Sequence, residues 1–268
     1  MTPSPLLEAQ RLSVSLEGHP VVHEVEVSLA AGDTIALVGP NAAGKSTLLR
    51  ALTGLLVPSG GAVLLRGRAL ASWGRGAVAR SVALVTAEDE GHDSLRVVDR
   101  VALGRYPHLG PFRAPRPRDR EAVESALDLA GIAHLATRPL GTLSAGERQL
   151  ASLARGLAQE AEVLLLDEPA SHLDVGHELR LFSILDEVAR SGVAILAVVH
   201  DLQRAGAWAS RIVLLEKGRV ACIGSPRDVL SSDACARAFS VRIRSHAVPG
   251  LPDVLYSFEE MDKEPRRN

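Results

Sequence analysis

Short runs of Val, Ile and Leu alternate with helical patterns along most of the chain. Residues 34–38, 163–166 and 193–199 form such apolar runs, and helical patterns occupy residues 45–56 and 177–189. Apolar runs of this length are typical of parallel strands that are buried on both faces and joined by crossover helices. The pattern therefore predicts an α/β core with a parallel sheet.

The N-terminal region has a different pattern, with apolar residues two or four positions apart. One row is Leu12, Val14 and Leu16, and the second is Val21, Val25, Val27 and Leu29. This spacing places each row on one face of a half-exposed strand. We therefore expect an antiparallel sheet ahead of the core.

A helical subdomain is expected as an insertion into the core, at residues 87–159. Helical patterns at residues 97–103, 119–130 and 144–159 surround residues 107–117, which are rich in Pro and Arg. The core with its antiparallel β subdomain is then expected at residues 1–86 and 160–245.

The last part of the chain is expected to add a hairpin and a tail. Apolar runs at residues 212–215 and 220–223 are split by Lys217 and Gly218, which favours a tight turn. Residues 246–268 are interpreted as a tail that is frayed from Lys263 onwards.

Composition narrows the class of protein. The 268 residues contain 30 Lys and Arg against 32 Asp and Glu, so no basic excess favours nucleic acid as the main partner. Hydrophobic residues make up 46% and charged residues 23%, which is the mix of a folded globular protein. The N-terminus lacks a signal peptide, and the longest apolar run is far below the roughly 20 residues of a membrane span, so a cytosolic protein is expected.

Cysteine and histidine positions give no sign of a zinc site or a disulfide framework. Cys222 and Cys235 are far apart and form no C-x-x-C pair. Several histidines lack ligand spacing and are interpreted as surface or hydrogen-bonded residues: His19, His23, His92, His134, His177 and His246.

Residues 39–46 fit the G-x-x-x-x-G-K-[ST] pattern of a phosphate-binding loop between a strand and a helix. Backbone N–H groups can surround a β-phosphate, Lys45 can neutralise phosphate charge, and the Ser46 hydroxyl can ligate Mg²⁺. Ala42 stands where glycine is usual in such loops, so its backbone position must accept a Cβ. The residues expected to bind the nucleotide are Gly39, Pro40, Asn41, Ala42, Ala43, Gly44, Lys45, Ser46 and Thr47.

Two acidic residues, Asp167 and Glu168, follow the apolar run at residues 163–166. Because ligands of parallel sheets bind beyond the carboxyl ends of the strands, both acids should lie beside the phosphate loop. Asp167 is placed to hold magnesium, directly or through water, and Glu168 to polarise the attacking water.

Residues 143–149, Leu-Ser-Ala-Gly-Glu-Arg-Gln, resemble the L-S-G-G-E-x-Q signature of ABC ATPases. Residues 171–174, Ser-His-Leu-Asp, are similar to the D-loop of that family, with Asp174 as its acid, and His200 is similar to its switch histidine. The resemblance covers nearly the whole chain. It implies a P-loop NTPase (RecA-like) core, ATP and Mg²⁺ as cofactors, and ATP hydrolysis with Glu168 and His200 as catalytic residues.

The resemblance also implies partners. Two copies of the chain would close head to tail around two ATP molecules, each copy offering its signature to the nucleotide bound by the other, through Ser144, Ala145, Gly146 and Glu147. With one phosphate loop and one signature, the chain would work with separate integral membrane permease subunits, and indirectly with a substrate-binding protein. The helical insertion would receive a coupling helix of the permease, at the cytoplasmic face of the membrane.

Residues 103–108, Leu-Gly-Arg-Tyr-Pro-His, resemble the G-R-x-P-H stretch of ATPases in iron-siderophore, haem and cobalamin importers. This resemblance favours an ATPase subunit that drives the uptake of a metal chelate. The alternative interpretation of the stretch is a helix end terminated by Pro, with a basic and aromatic cap.

Two positions depart from the family pattern. The glutamine expected after residues 82–85 is missing; Ala87 aligns with it, and Glu88 is a candidate magnesium ligand in its place. An added carboxylate near phosphates predicts slower hydrolysis or altered coupling. The aromatic residue that stacks on adenine is also absent, because Leu16 stands at that position with His19 nearby, which predicts weaker base selectivity. These departures keep open a second hypothesis, an attenuated or regulatory soluble ABC ATP-binding protein without a permease.

Overall fold

The computed structural model describes residues 4–86, 93–109, 114–171, 173–247 and 254–260. Its strands are, in chain order, β1 (Leu7–Leu16), β2 (His19–Leu29), β3 (Thr34–Val38), β4 (Gly60–Leu65), β5 (Arg68–Ala69), β6 (Val82–Thr86), β7 (Val163–Asp167), β8 (Ala194–Val198), β9 (Arg211–Glu216), β10 (Arg219–Gly224), β11 (Val241–Ala247) and β12 (Val254–Glu260). Its α-helices are α1 (Lys45–Leu52), α2 (Arg75–Ser81), α3 (Val97–Ala102), α4 (Pro117–Leu129), α5 (Ala145–Ala158), α6 (Val175–Arg190), α7 (Leu202–Trp208), α8 (Pro226–Leu230) and α9 (Asp233–Phe239). Within these ranges, no helix is both long and apolar enough to cross a bilayer.

The central sheet has the strand order β10-β9-β3-β8-β7-β6, and its neighbours are parallel except for the β9-β10 hairpin. In β3, Ile35 and Leu37 point into one apolar core, and Ala36 and Val38 point into the other. The first core packs the sheet against α1 and the antiparallel sheet, and the second packs it against the helices on the opposite face. Both faces are buried, which explains the continuous apolar runs and confirms the expected α/β class.

An antiparallel sheet of order β2-β1-β4-β5 lies beside the core, as expected. Only β1 and β2 precede the phosphate loop in the sequence, however. Strands β4 and β5 follow α1, and β4 returns to pair with β1. The sheet is therefore built from segments on both sides of the first core strand and helix.

The prediction that Val21 shares a face with Val25 and the later apolar residues of β2 is wrong. Val22 is fully buried, whereas Val21 is only partly buried. Between them and Val25, Glu24 adopts a left-handed backbone with φ 48°, and the pairing with β1 changes register. A bulge of this kind inserts one residue and exchanges the two faces of the strand.

Helix α1 ends at Leu52, four residues earlier than the hydrophobic pattern predicts. Thr53 forms its C-cap, and Gly54 follows with φ 73°. A glycine in the left-handed region is a common helix stop because it carries no Cβ to strain the turn. Leu55 and Leu56 are therefore in a loop, where Leu55 is largely exposed and Leu56 packs against the core.

The helical insertion contains α3, α4 and α5, which pack against one another. Arg105, in the turn after α3, is 2% exposed and joins the other two helices. Its Nε donates to Asp119 Oδ1 at the start of α4 (3.1 Å), and its Nη1 donates to the carbonyl oxygen of Ala158 (2.7 Å) at the end of α5. Glu160 Oε2 accepts a further bond from the same Nη1 (2.7 Å).

Other residues of the G-R-x-P-H stretch also have packing roles. A Cβ on Gly104 would collide with the carbonyl oxygen of Arg155 in α5. His108 Nε2 lies 2.8 Å from the carbonyl oxygen of Gln159. Tyr106, by contrast, is 76% exposed. The stretch is therefore a structural connection within the insertion that leaves one aromatic side chain on the surface.

The C-terminal region contains more structure than the expected tail. Lys217 and Gly218 both have positive φ, 49° and 75°, and form the expected tight turn between β9 and β10. Further on, β12 pairs with β11 in a second hairpin. The Tyr256 N–H donates to Gln203 Oε1 of α7 (2.7 Å), and a Cβ on Gly206 would press against the Tyr256 ring. Lys263 and the residues after it lie outside the described residues.

Candidate nucleotide site

The phosphate loop and the expected catalytic residues meet at one edge of the central sheet. The loop follows β3, His200 follows β8 and Asp167 ends β7, and β8 lies between β3 and β7 in the sheet. Because these strands are parallel, their carboxyl ends lie side by side. Residues 41–47 line an open cavity of about 750 Å³ together with Val21, Glu168 and His200.

Backbone conformation explains the sequence of the phosphate loop. Gly39 has φ 155°, and a Cβ there would collide with the carbonyl oxygen of Leu215 in β9. Gly44, the N-cap of α1, has φ 98°. Ala42 adopts φ 60°, so the position expected to accept a Cβ does so in the left-handed region. This conformation costs an alanine roughly 1–2 kcal/mol.

Lys45 is 6% exposed, and its ammonium group bonds to its own loop. Nζ donates to the carbonyl oxygens of Gly39 (2.8 Å) and Pro40 (3.0 Å). Burial lowers the pKa of Lys45 below its ordinary value, while the negative charges of Glu168 and Asp167 act in the opposite direction. A buried cation at the centre of a loop of N–H groups is a favourable partner for phosphate oxygens.

The expected magnesium ligands, Ser46 and Asp167, are in direct contact. Ser46 Oγ donates to Asp167 Oδ1 at 3.1 Å. Burial raises the pKa of Asp167, and the bond from Ser46 partly opposes that shift. A hydroxyl and a buried carboxylate supply the oxygen donors that Mg²⁺ prefers, and the charge of the ion would offset the burial of the carboxylate. The residues present therefore fit a magnesium ion.

Glu168 and His200 form a pair at the mouth of the cavity. His200 Nε2 lies 2.7 Å from Glu168 Oε1, and both side chains are partly exposed, 45% and 38%. Glu168 has a left-handed backbone with φ 52°. A non-glycine residue in this region stores strain of the order of 1 kcal/mol, which is common at sites where a side chain must point in one direction.

The signature residues lie at the N-terminus of α5 and do not line the cavity. Ser144 is the N-cap: its Oγ accepts the Glu147 N–H (3.2 Å), and Glu147 Oε2 accepts the Ser144 N–H (2.7 Å). This second bond is the main reason that the pKa of Glu147 is lowered. Ser144 and Ala145 are exposed, and Gly146 is buried. The chain therefore presents two separate polar surfaces, the phosphate loop and the signature.

Asp174 caps the next helix, α6. Its Oδ1 accepts the His177 N–H (2.8 Å), and its Oδ2 lies 2.9 Å from Nδ1 of the same residue. The imidazole ring of His177 in turn covers Gly146 of the signature. The sequence interpretation of His177 as a hydrogen-bonded residue is consistent with this pairing, but the contact with Gly146 was not anticipated, because no local pattern connects residues so far apart in the chain.

Several residues predicted for the site either lie outside the described residues or do not line the cavity. Ala87, Glu88, His92 and His172 lie outside the described residues. Leu16 is 38% exposed and does not line the cavity, whereas Val21, which the sequence analysis did not assign to the site, does. In the part of the chain that is described, no three His, Cys, Asp or Glu side chains form a metal-binding group.

The edge of parallel strands that carries this loop defines the chain as a P-loop nucleoside triphosphatase. Residues 22–171 match the family described as ABC transporter. The chain belongs to this family, and it is an ATP-binding ATPase of it. The expected fold and family are therefore confirmed.

Individual relatives are similar over most of their length. The ferric enterobactin transport ATP-binding protein of Escherichia coli (strain K12) is 36% identical over 252 residues, which cover 93% of each chain. The hemin import ATP-binding protein of Nocardia farcinica (strain IFM 10152) is 41% identical over 238 residues, covering 88% of this chain and 82% of that one. A solved structure described as an inward-facing metal-chelate type ABC transporter superposes with a TM-score of 0.82 at 27% identity, covering 95% and 96%. These relatives give no support to the alternative of a regulatory protein without a permease.

Proposed function

We propose that the chain is the ATP-hydrolysing subunit of an ABC importer that takes up a metal chelate, such as an iron-siderophore, haem or cobalamin. The observation that carries the proposal is the Glu168–His200 pair, with its 2.7 Å contact, at the mouth of the phosphate-loop cavity. The relatives named for enterobactin and hemin transport supply the direction of transport and the substrate class.

ATP would bind with its β- and γ-phosphates in the cavity lined by residues 41–47. Lys45 already points its ammonium group at two carbonyl oxygens of the loop, so arriving phosphate oxygens would meet a fixed positive charge. Ser46 and Asp167 would hold Mg²⁺, and Glu88 is a further candidate ligand from the sequence alone. The bound ion would supply positive charge against the charge that develops on the transferred phosphoryl group.

Glu168 would accept a proton from the attacking water. Its carboxylate lines the cavity. The side chain that contacts this carboxylate is the imidazole of His200, which, unlike Lys or Arg, is not permanently charged. His200 would hold the Glu168 side chain in place and donate to it, or to a γ-phosphate oxygen once ATP is bound.

A second copy of the chain would complete the site. The signature offers an exposed N-cap serine and the start of a helix, a favourable seat for a γ-phosphate, but it lies outside the cavity of its own chain. In a head-to-tail homodimer, Ser144, Ala145, Gly146 and Glu147 of one copy would face the ATP of the other, and Asp174 would contact the same interface. Two-fold symmetry would then form two equivalent sites.

The permease would contact the helical insertion together with a neighbouring, largely apolar cavity of about 960 Å³, which residues between 51 and 84 line. Leu55 and Val57 at this cavity are 68% and 86% exposed, and exposed apolar groups of this kind mark interaction sites. Arg80 of α2, at the same region, donates to the carbonyl oxygen of Pro107 (3.0 Å) and so joins the cavity to the helical insertion. A permease helix seated here would place the subunit at the cytoplasmic face of the membrane.

Magnesium-dependent ATP hydrolysis by the purified protein tests the proposal. We expect the wild type to hydrolyse ATP and Glu168→Gln to lose activity by about 100-fold or more, as general-base removal does. The Glu168→Gln protein should also accumulate as an ATP-bound dimer. Glu124→Gln, at an exposed position on α4, is the matched control and should behave as the wild type. Absence of hydrolysis in the wild type, both alone and with its permease in lipid vesicles, would contradict the proposal.

Uptake by cells tests the substrate class. Deletion of the gene should abolish the uptake of one metal chelate, and the Glu168→Gln variant should fail to restore it. Normal uptake of siderophore iron, haem and cobalamin alike in the deletion strain would remove the metal chelates from consideration.

A further inference from the structure

The start of the signature helix and the start of α6 meet through one side chain, the imidazole ring of His177. A Cβ built on Gly146 would lie 2.7 Å from both Cγ and Cδ2 of this ring and 3.0 Å from its Nδ1. Carbon atoms do not approach so closely, so the ring fills the space that any larger residue at position 146 would need. Gly146 is the second residue of α5, where neither a turn nor a positive φ requires glycine.

Asp174 restrains the ring in the position in which it covers Gly146. Both carboxylate oxygens of Asp174 are engaged with His177, one with its backbone N–H (2.8 Å) and one near its ring Nδ1 (2.9 Å). The His177 side chain is 34% exposed and that of Asp174 is 69% exposed. Rotating the ring into solvent would therefore break its contact with Asp174 and uncover Gly146.

We propose that His177 is a positioning residue that joins the D-loop acid, Asp174, to the signature helix, and that a side chain at position 146 would displace its ring. This inference rests on the proposed function, in which the signature and the D-loop of one copy both approach the nucleotide site of the other. The helix α5 belongs to the helical insertion and α6 to the core, so the ring connects two parts of the chain. The relative positions of the signature and Asp174 are then fixed before the partner copy arrives. Dimer closure therefore costs less conformational entropy.

The test is a double-mutant cycle of Gly146→Ala, His177→Ala and the pair, made in the Glu168→Gln protein so that ATP-driven dimers persist. Gly146→Ala should displace the ring and weaken dimer formation by about tenfold or more, equivalent to about 1.4 kcal/mol. His177→Ala, which frees Asp174 without a collision, should weaken it less. The pair should form dimers better than Gly146→Ala alone, because the added methyl group then meets no ring.

Further measurements distinguish a positioning role of His177 from a general loss of folding or of ATP binding. ATP affinity of the single copy should stay unchanged in the His177→Ala variant, because His177 does not line the phosphate-loop cavity. Gly76→Ala in α2 is the control for a glycine-to-alanine change in a helix, since its nearest neighbour would be Arg80 Nη1 at 3.5 Å. It should leave dimer formation unchanged. In urea unfolding without nucleotide, Gly146→Ala should have the lowest free energy of unfolding of the single variants. The pair should be more stable than Gly146→Ala.

The possible results distinguish this inference from the proposed function. Failure of the Glu168→Gln protein itself to form ATP-bound dimers would contradict the proposed function and, with it, the inference. Normal dimers of that protein, together with a pair as defective as Gly146→Ala, would overturn the inference alone, because glycine would then be required for a reason other than the His177 ring. An unchanged His177→Ala variant would overturn it as well.

Discussion

Ala42 carries strain that glycine would remove. Its φ of 60° lies in the left-handed region, and it stands in the phosphate loop. Ala42→Gly should therefore raise the free energy of unfolding by about 0.5–1 kcal/mol in the absence of nucleotide, after the larger entropy of an unfolded glycine is subtracted. Urea denaturation measures the change.

The adjacent Ala43 provides the control for this prediction. Ala43 is 4% exposed, is packed in the apolar core and has no positive φ. Ala43→Gly removes a buried methyl group, so it should lower the free energy of unfolding by about 1 kcal/mol. Equal destabilisation by both changes would show that the left-handed backbone at position 42 is not a source of strain.

Asp167 makes stability depend on pH in a definite direction. Burial raises its pKa in the folded protein, so the folded state binds its proton at higher pH than the unfolded state does. The contribution of Asp167 to stability therefore falls as the pH rises through its titration, from about 3.8 upward. Asp167→Asn has no charge to bury, and its oxygen can still accept the bond from Ser46.

The measurement for Asp167 is a pair of unfolding curves at several pH values. The stability of Asp167→Asn relative to the wild type should increase between about pH 3 and pH 7 in the absence of Mg²⁺. Adding ATP and Mg²⁺ should then stabilise the wild type more than the variant. A stability difference that is constant over this pH range would contradict the prediction.

At the scale of elements, the hydrogen bonds of Arg105 predict that its replacement lowers stability far more than replacement of the adjacent Tyr106. Arg105 is 2% exposed and bonds to Asp119, Ala158 and Glu160, whereas Tyr106 is 76% exposed. Arg105→Ala leaves the Asp119 carboxylate without its guanidinium, and should lower the free energy of unfolding by about 3 kcal/mol. Tyr106→Ala should change it by no more than about 0.5 kcal/mol. Chemical denaturation of both variants checks this contrast, and similar losses would contradict it.

The elements that the sequence could predict are those whose pattern is decided locally. The core strands are apolar on both faces, so β3, β7 and β8 were identified within about two residues. The bulge at Glu24 was not, because it depends on backbone φ and on the register with β1. The return of β4 to β1 is a long-range pairing with no local signal. The β11 strand carries a short local signal, because Val241 and Ile243 alternate with Arg242 and Arg244.

The candidate site divides in the same way. Lys45, Ser46 and Asp167 belong to motifs whose spacing encodes their chemistry, and the parallel sheet brings them together as expected. His177 and Val21 belong to no motif, and only the packing of distant segments places them at Gly146 and at the cavity. Residues that act through tertiary contacts alone cannot be read from a single sequence.

At the scale of the whole molecule, the apolar cavity that we propose to receive the permease lies apart from the nucleotide site. Val57 is 86% exposed at that cavity and lies outside the nucleotide site. Val57→Asp should abolish copurification with the permease while the ATPase rate of the isolated protein stays within about twofold of the wild type, because a charge there opposes burial against an apolar partner. Ile223→Asp, at an exposed apolar position on β10 outside the cavity, is the control. Loss of the permease by the control alone would assign the contact to another face.

Gly39 and Glu168 would respond differently to mutation over many generations. A side chain at position 39 meets the backbone of Leu215 before any nucleotide is considered, so selection for a folded chain alone removes its variants. The Glu168 side chain is 38% exposed and pairs with His200, which is itself partly exposed, so a chain that no longer needed hydrolysis could replace Glu168 and still fold. In a mutational library, position 39 would thus remain glycine under any selection that requires folding. Position 168 would remain glutamate only under a selection that requires ATP hydrolysis.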